Sequence, residues 1–245
     1  MLQSFIIAVQ FLTRFPTFAT AEWQPRAVGH SLLFYPAVGL MIGLMLLLVA
    51  WLSSSASDLV QAGLLLTAWV LITGGLHLDG LADSADAWVG GLGDRERTLE
   101  IMKDPYCGPS AVVLLVLVLL LKFAALVTIV ATANWWALLL VPVISRSTLP
   151  ALFMTTPYVR PGGLGELLAL HMPREQLKWL LLALALLVWL VLGGLGFAMI
   201  VVAAVVCFLL RNMMLQRLGG LTGDTAGANV ELVEVVLLLV AAMFF

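Results

Sequence analysis

The chain has 245 residues, of which 62% are hydrophobic and only 11% charged, with a formal net charge of −2. A water-soluble fold carries about 25% charged residues, so a soluble globular chain, a disordered chain and a disulfide-stapled secreted scaffold are excluded, and no basic excess draws the chain to nucleic acid. The composition describes an all-α, polytopic integral membrane helical bundle, a single domain over residues 1–245, with the lipid bilayer as its surroundings.

The first 13 residues, with Phe5, Ile6, Ile7, Val9, Phe11 and Leu12, lack a basic n-region, and no small-residue cleavage site precedes Arg14-Phe15-Pro16. An N-terminal interfacial helix lying on the membrane suits them better than a signal peptide. Apolar stretches long enough for a ~30 Å hydrocarbon layer follow at Ser31–Leu52, Leu59–Leu76, Ser110–Ala131, Trp136–Met154, Leu177–Leu192, Gly196–Leu210 and Val230–Phe245. The fifth and sixth share one apolar run, 177–210, which would reach roughly 51 Å as a single helix. Gly193-Gly194 breaks it into two short passes joined by a tight turn. About seven transmembrane helices are therefore expected.

The basic residues support this alternation. Arg14 and Arg26, then Arg95, Arg97 and Lys103, then Arg160, Arg174 and Lys178, then Arg211 and Arg217 fall in every second connection. The intervening connections, 53–58, 132–135 and 193–195, hold no Lys or Arg. Positive residues favour the cytoplasmic side, so the long loops and the N-terminus are expected there. Cys107 and Cys207 read as free thiols.

Charge is concentrated in Gly74–Asp104, which holds 10 of the 26 charged residues. Within it, Asp94–Lys103 mixes both signs and reads as a solvated surface helix. The segment Gly74-Gly75-Leu76-His77-Leu78-Asp79-Gly80-Leu81-Ala82-Asp83-Ser84-Ala85-Asp86 continues directly from the second span. If the helix continues too, Asp79, Asp83 and Asp86 share one face within an arc of about 60°. Like charges at that spacing repel, and more strongly at a membrane boundary. A divalent cation reverses the sign of the interaction, and Mg²⁺ takes carboxylate oxygens together with substrate phosphates. His77 falls on the opposite face and reads as a packing residue.

A second acidic group opens the last span: Gly219-Gly220-Leu221-Thr222-Gly223-Asp224-Thr225-Ala226-Gly227-Ala228-Asn229-Val230-Glu231-Leu232-Val233-Glu234. On a helix Asp224 and Glu231 stack on one face with Glu234 beside them, and Asp224 or Thr225 suits a helix cap. Carboxylates inside a span usually face a polar cavity. Two cations, Lys122 and Arg146, also lie within spans, suited either to ion pairs with these acids or to phosphate. Two carboxylate clusters with cations between them describe a site for a magnesium-bound diphosphate. Zinc-ligand spacing, a Ser/His/Asp arrangement and a Gly-rich phosphate loop are absent. The spacing alone leaves phosphoryl transfer, a membrane prenyltransferase and a small ion-coupled transporter open.

Several of these stretches resemble the cobalamin synthase (adenosylcobinamide-GDP ribazoletransferase) family. They are residues 74–83 with Asp86, Leu99-Glu100-Ile101-Met102-Lys103-Asp104 with Gly108, Ser145-Arg146, and 219–225 with Gly227, Glu231 and Glu234. Phe11-Leu12-Thr13-Arg14-Phe15-Pro16 and Pro36-x-x-Gly39 add weaker matches. The resemblance implies a Mg²⁺-dependent transferase of the bacterial inner membrane with its active site facing the cytoplasm. Adenosylcobinamide-GDP and α-ribazole, or its 5′-phosphate, would give adenosylcobalamin, or its phosphate, and GMP. It further implies metal ligation by Asp79, Asp83, Asp86 and Asp224 with Glu231 and Glu234, and catalytic roles for Asp79, Asp83 and Asp224. Substrate contacts would come from Arg146, Lys103, Asp104, Lys122, Gly223 and Thr225. A homo-oligomer, or association with other late enzymes of the same pathway, is compatible with it.

Overall fold

The computed structural model describes residues 1–17, 23–162 and 164–244, and among them the only β-type pairing is one isolated bridge between Tyr158 and Leu221. Helix α1 (Leu2–Leu12) buries Ser4, Ala8 and Leu12 at four-residue spacing, with Ile7 beside them. Eleven residues reach only about 16 Å, and α1 packs along α2 (Pro25–Ser31) and α3 (Tyr35–Leu52) without crossing. A 3₁₀ turn at Leu32–Phe34 joins α2 to α3. Pro36 explains it, because proline has no N–H to close a regular turn and its ring crowds the carbonyl four residues back.

Helix α4 (Asp58–Thr73) does not run on into the acidic segment. Gly74 and Gly75 both adopt left-handed backbone (φ 65° and 69°), and α5 (Leu76–Gly90) leaves at 86° to α4. This corrects the expectation of one continuous helix. Two consecutive left-handed residues are accessible only to glycine at low cost. The acidic stretch is nonetheless helical, so its three aspartates keep the shared face. After α6 (Arg95–Ile101) come α7 (Pro109–Ala131) and α8 (Trp135–Thr155). Gly39 and Gly43 of α3 press on the α8 backbone, where a Cβ would meet Pro142 O at 2.4 Å and Leu139 Cα at 2.8 Å. Small residues that admit a neighbouring backbone hold membrane helices together without a hydrophobic drive.

Past α9 (Leu164–His171), α10 covers Arg174–Leu218 with non-helical backbone at Gly193 (φ 57°, ψ −129°). A straight helix of 45 residues would extend about 67 Å. Instead Arg174 donates to Met154 O and Arg211 to Thr155 O, so both ends return to the same end of α8. The Trp189 and Phe197 rings, 6.5 Å apart, flank the reversal. The expected hairpin therefore forms at Gly193. Helix α11 (Gly223–Met243) closes the bundle and, with α8, is its most buried element; Phe245, the last residue of the expected seventh span, lies outside the described residues.

Five helical stretches are long and apolar enough to cross a bilayer, or six where the bent α4–α5 pair is counted as one span. The break at Gly193 divides one of the five, Arg174–Leu218, into two limbs. The basic connections gather at one end: Arg14 N bonds Ile72 O, Arg95 Nε bonds Leu218 O and Arg217 Nη2 bonds Trp88 O. At the other end Gln61 Nε2 reaches Ala50 O and Asn134 Nδ2 reaches Ala241 O.

Candidate active site

The site is built where α5 meets the start of α11. Gly80 allows the approach, since a Cβ there would lie 2.7 Å from Asp224 O, and Gly227 faces the His77 backbone at 3.2 Å in the same way. The start of α11 is set by a capping box. Thr222 Oγ1 accepts from Thr225 N at 3.2 Å, and Thr225 Oγ1 accepts from Thr222 N at 2.9 Å. The cap is thus Thr222, not Asp224 or Thr225, and Asp224 stays free to face outward. Thr225 is buried in this box, whereas Gly223 faces open space.

Asp83 lies where four charges converge: Asp79, Asp224 and Asp86 repel its carboxylate and Arg160 attracts it. Among the described residues Asp79 and Asp83 accept no hydrogen bond, while Arg160 Nη1 donates to Asp224 Oδ2 at 2.8 Å in a pair that remains partly exposed. Arg160 is held over α11 by its own backbone. The segment after α8 zips to the segment before α11 through Leu221 N to Pro157 O at 2.8 Å and Val159 N to Leu221 O at 3.0 Å. Burial raises the pKa of neighbouring Tyr158, with the Arg160 charge opposing. Arg160 was not among the residues singled out from sequence. Its only signal there is a basic residue inside the Pro- and Gly-rich run Pro157-Tyr158-Val159-Arg160-Pro161-Gly162.

Asp86 sits at the edge of this group and is otherwise engaged. Its two oxygens accept from Gly108 N at 2.5 Å and Ala111 N at 2.9 Å, capping α7. Lys103 and Asp104 follow Met102, whose Sδ lies 3.9 Å from Thr222 Oγ1, so this loop covers the start of α11. Asp104 Oδ1 accepts from Tyr106 N, and Lys103 is exposed.

Glu231, Glu234, Lys122 and Arg146 lie elsewhere. Lys122 Nζ is 2.5 Å from both Glu231 Oε2 and Glu234 Oε2, and Arg146 Nη1 pairs with Glu234 Oε1. Ser145 Oγ adds a hydrogen bond to Glu234, and Lys122 stands over the Trp69 ring at 5.4 Å. All four charged groups are buried. Their two positive and two negative charges cancel. The two glutamates expected to ligate a metal, and the two cations expected to hold phosphate, are thus engaged with one another. The reason is depth: Glu231 and Glu234 lie about 10 and 15 Å further along α11 than Asp224, where lipid forces charges to pair.

Among the described residues no three His, Cys, Asp or Glu side chains stand close enough together to hold a metal ion by themselves. The donor chemistry still suits a hard cation. Asp79 and Asp83 present unshared carboxylate oxygens beside Asp224, and Mg²⁺ commonly takes one or two carboxylates plus substrate phosphates in place of a full protein cage.

The fold and site define a polytopic membrane protein with an acid-lined mouth and one guanidinium beside it, suited to a phosphate ester. Residues 4–242 match the family model described as cobalamin-5-phosphate synthase, and the chain belongs to that family. It is 55% identical over 241 residues to an adenosylcobinamide-GDP ribazoletransferase of Pseudomonas fluorescens, covering 98% of this chain and 99% of that one. Relatives of the same description from Pseudomonas savastanoi (54% over 239 residues, 98% of each chain) and Stutzerimonas stutzeri (54% over 238 residues, 97% of each) are similar over the same extent. No solved structure matches.

Proposed function

We infer that this chain joins adenosylcobinamide-GDP to α-ribazole or its 5′-phosphate at the mouth between α5 and α11, releasing GMP. The observation that carries the reading is the convergence of Asp79, Asp83 and Asp224 with Arg160, together with membership of the family. In the reaction a ribose hydroxyl oxygen of the ribazole attacks the cobinamide-side phosphorus. The bond from that phosphorus to the bridging oxygen breaks, and GMP departs with the bridging oxygen.

Asp79 and Asp224 would hold Mg²⁺, which when bound neutralises the diphosphate and improves GMP as a leaving group. Asp83, which accepts no hydrogen bond among the described residues, takes the proton of the attacking hydroxyl. Arg160 exchanges Asp224 for a phosphate oxygen, a bond for which its planar fork is suited. Lys103, on the covering loop, adds a second positive charge. Asp86 positions the mouth by fixing α7 to α5. The mouth lies at the end that collects the arginine-bearing connections, and positive residues favour the cytoplasmic side; this supports reading it as facing the cytoplasm from the inner membrane.

The test is purified protein with adenosylcobinamide-GDP, α-ribazole and Mg²⁺, assayed for GMP. GMP in step with cobalamin formation is the expected result. Pyrophosphate release in its place would favour a prenyltransferase, and ion-driven uptake into vesicles without a covalent product would favour a transporter.

A further inference from the structure

One cavity of the molecule is lined by none of the residues of the acidic mouth. It is a groove of about 500 Å³ between α8 and the two limbs of the α10 hairpin. Val143 and Thr155 mark its ends on α8, Leu181 and Val188 line it from the first limb, and Cys207 and Arg211 from the second. From Val143 to Thr155 the groove runs roughly 18 Å by helical rise. That is close to half of a ~30 Å hydrocarbon core, the depth of one leaflet. Its walls are mostly apolar: the hydroxyls of Ser147 and Thr148 donate back to Val143 O and Ser145 O of their own helix, and the one charged lining residue, Arg211, stands at the Thr155 end.

At that end two arginines meet. Arg211 gives Nε and Nη2 to Thr155 O at 3.1 and 2.8 Å, and Arg174 gives Nη1 to Met154 O at 3.0 Å. These bonds satisfy the free carbonyls at the C-terminus of α8. A guanidinium has five N–H groups, so each arginine keeps donors for a second acceptor. Neither has an acidic partner among the described residues. An apolar slot one leaflet deep that ends under two uncompensated cations has the charge pattern of an acyl chain below an anionic headgroup.

We propose that this groove is a binding site for an anionic phospholipid, one acyl chain lying between α8 and the α10 hairpin and its phosphate on Arg211 and Arg174. The lipid fills the gap behind α8, whose opposite side carries Arg146 to Glu234. Anionic lipid therefore stabilises the hairpin against the rest of the bundle.

The test uses the full-length protein in detergent with trace phosphatidylglycerol or phosphatidylcholine bearing a diazirine on the acyl chain, irradiated and mapped by peptide mass. Phosphatidylglycerol is expected to label 143–155 and 200–211 several-fold more than phosphatidylcholine does. Ala204→Phe, at an exposed lining position, is expected to remove those adducts and leave labelling elsewhere unchanged. Arg211→Gln with Arg174→Gln is expected to bring phosphatidylglycerol labelling down to the phosphatidylcholine level; if that pair fails to fold, Ala204→Phe alone decides. Equal labelling by the two lipids overturns the proposal. So do groove adducts that survive Ala204→Phe, or adducts as dense on the outward face of α7 as in the groove. The readout is independent of GMP release, so it stands apart from the reaction assigned to the mouth.

Discussion

Two charged regions lie within about 15 Å of each other along α11, and they are treated in opposite ways. At the mouth, Asp79 and Asp83 have no hydrogen-bond partner among the described residues, and Asp224 pairs with the partly exposed Arg160. Deeper in the bundle, Glu231 and Glu234 are saturated by Lys122, Arg146 and Ser145 and sealed from solvent. The comparison teaches that a carboxylate in a membrane protein is available for chemistry where water can compensate its charge, and becomes a tie between helices where it cannot. Residue type and helical spacing are alike in the two places; depth and partners separate them.

The sharpest way to break the comparison is to neutralise one acid in each region. Asp83→Asn should lower GMP release by about 10²–10⁴-fold while the melting temperature in detergent stays unchanged. A variant that turns over normally removes Asp83 from the chemistry. Glu234→Ala should do the reverse. Leaving Arg146 buried without its partner costs about 3–5 kcal/mol, seen as a large fall in melting temperature, whereas the folded fraction keeps its KM for both substrates. Gly80→Val tests the contact that builds the mouth. Its Cβ would lie 2.7 Å from Asp224 O, so a loss of about 1–3 kcal/mol in stability should accompany a drop in activity, because α11 must withdraw from α5.

Smaller effects sharpen the assignment at the mouth. Arg160→Ala should raise KM for adenosylcobinamide-GDP by about tenfold, as expected for losing a charged hydrogen bond of roughly 1.5 kcal/mol, with little change in melting temperature. Millimolar Mg²⁺ should raise the melting temperature of the substrate-free protein by a few degrees through relief of carboxylate repulsion. Asp79→Asn should abolish that rise, and a rise that persists would move the cation elsewhere.

How much of this is legible from the chain alone differs by element. The hairpin in 177–210 follows from length and a glycine pair, because one helix of that reach cannot stop within a bilayer. The acidic face of α5 follows from helical periodicity. The bend before it does not: Gly74-Gly75 reads as easily as a packing surface, and only the positive φ of both residues turns the chain by 86°. Arg160 is invisible for another reason, being brought to Asp224 by backbone pairing of 157–159 with 221, a contact across more than sixty residues.

The sequence by itself determined the multi-pass membrane class, the segregation of basic connections and the two carboxylate-bearing helices, since these rest on transfer into lipid and on the repeat of a helix, both local properties. Only the tertiary structure decided which acids stay open and which are tied. Whether a charge is solvated or paired depends on which side chains from other helices reach the same depth, and chain order does not encode that distance.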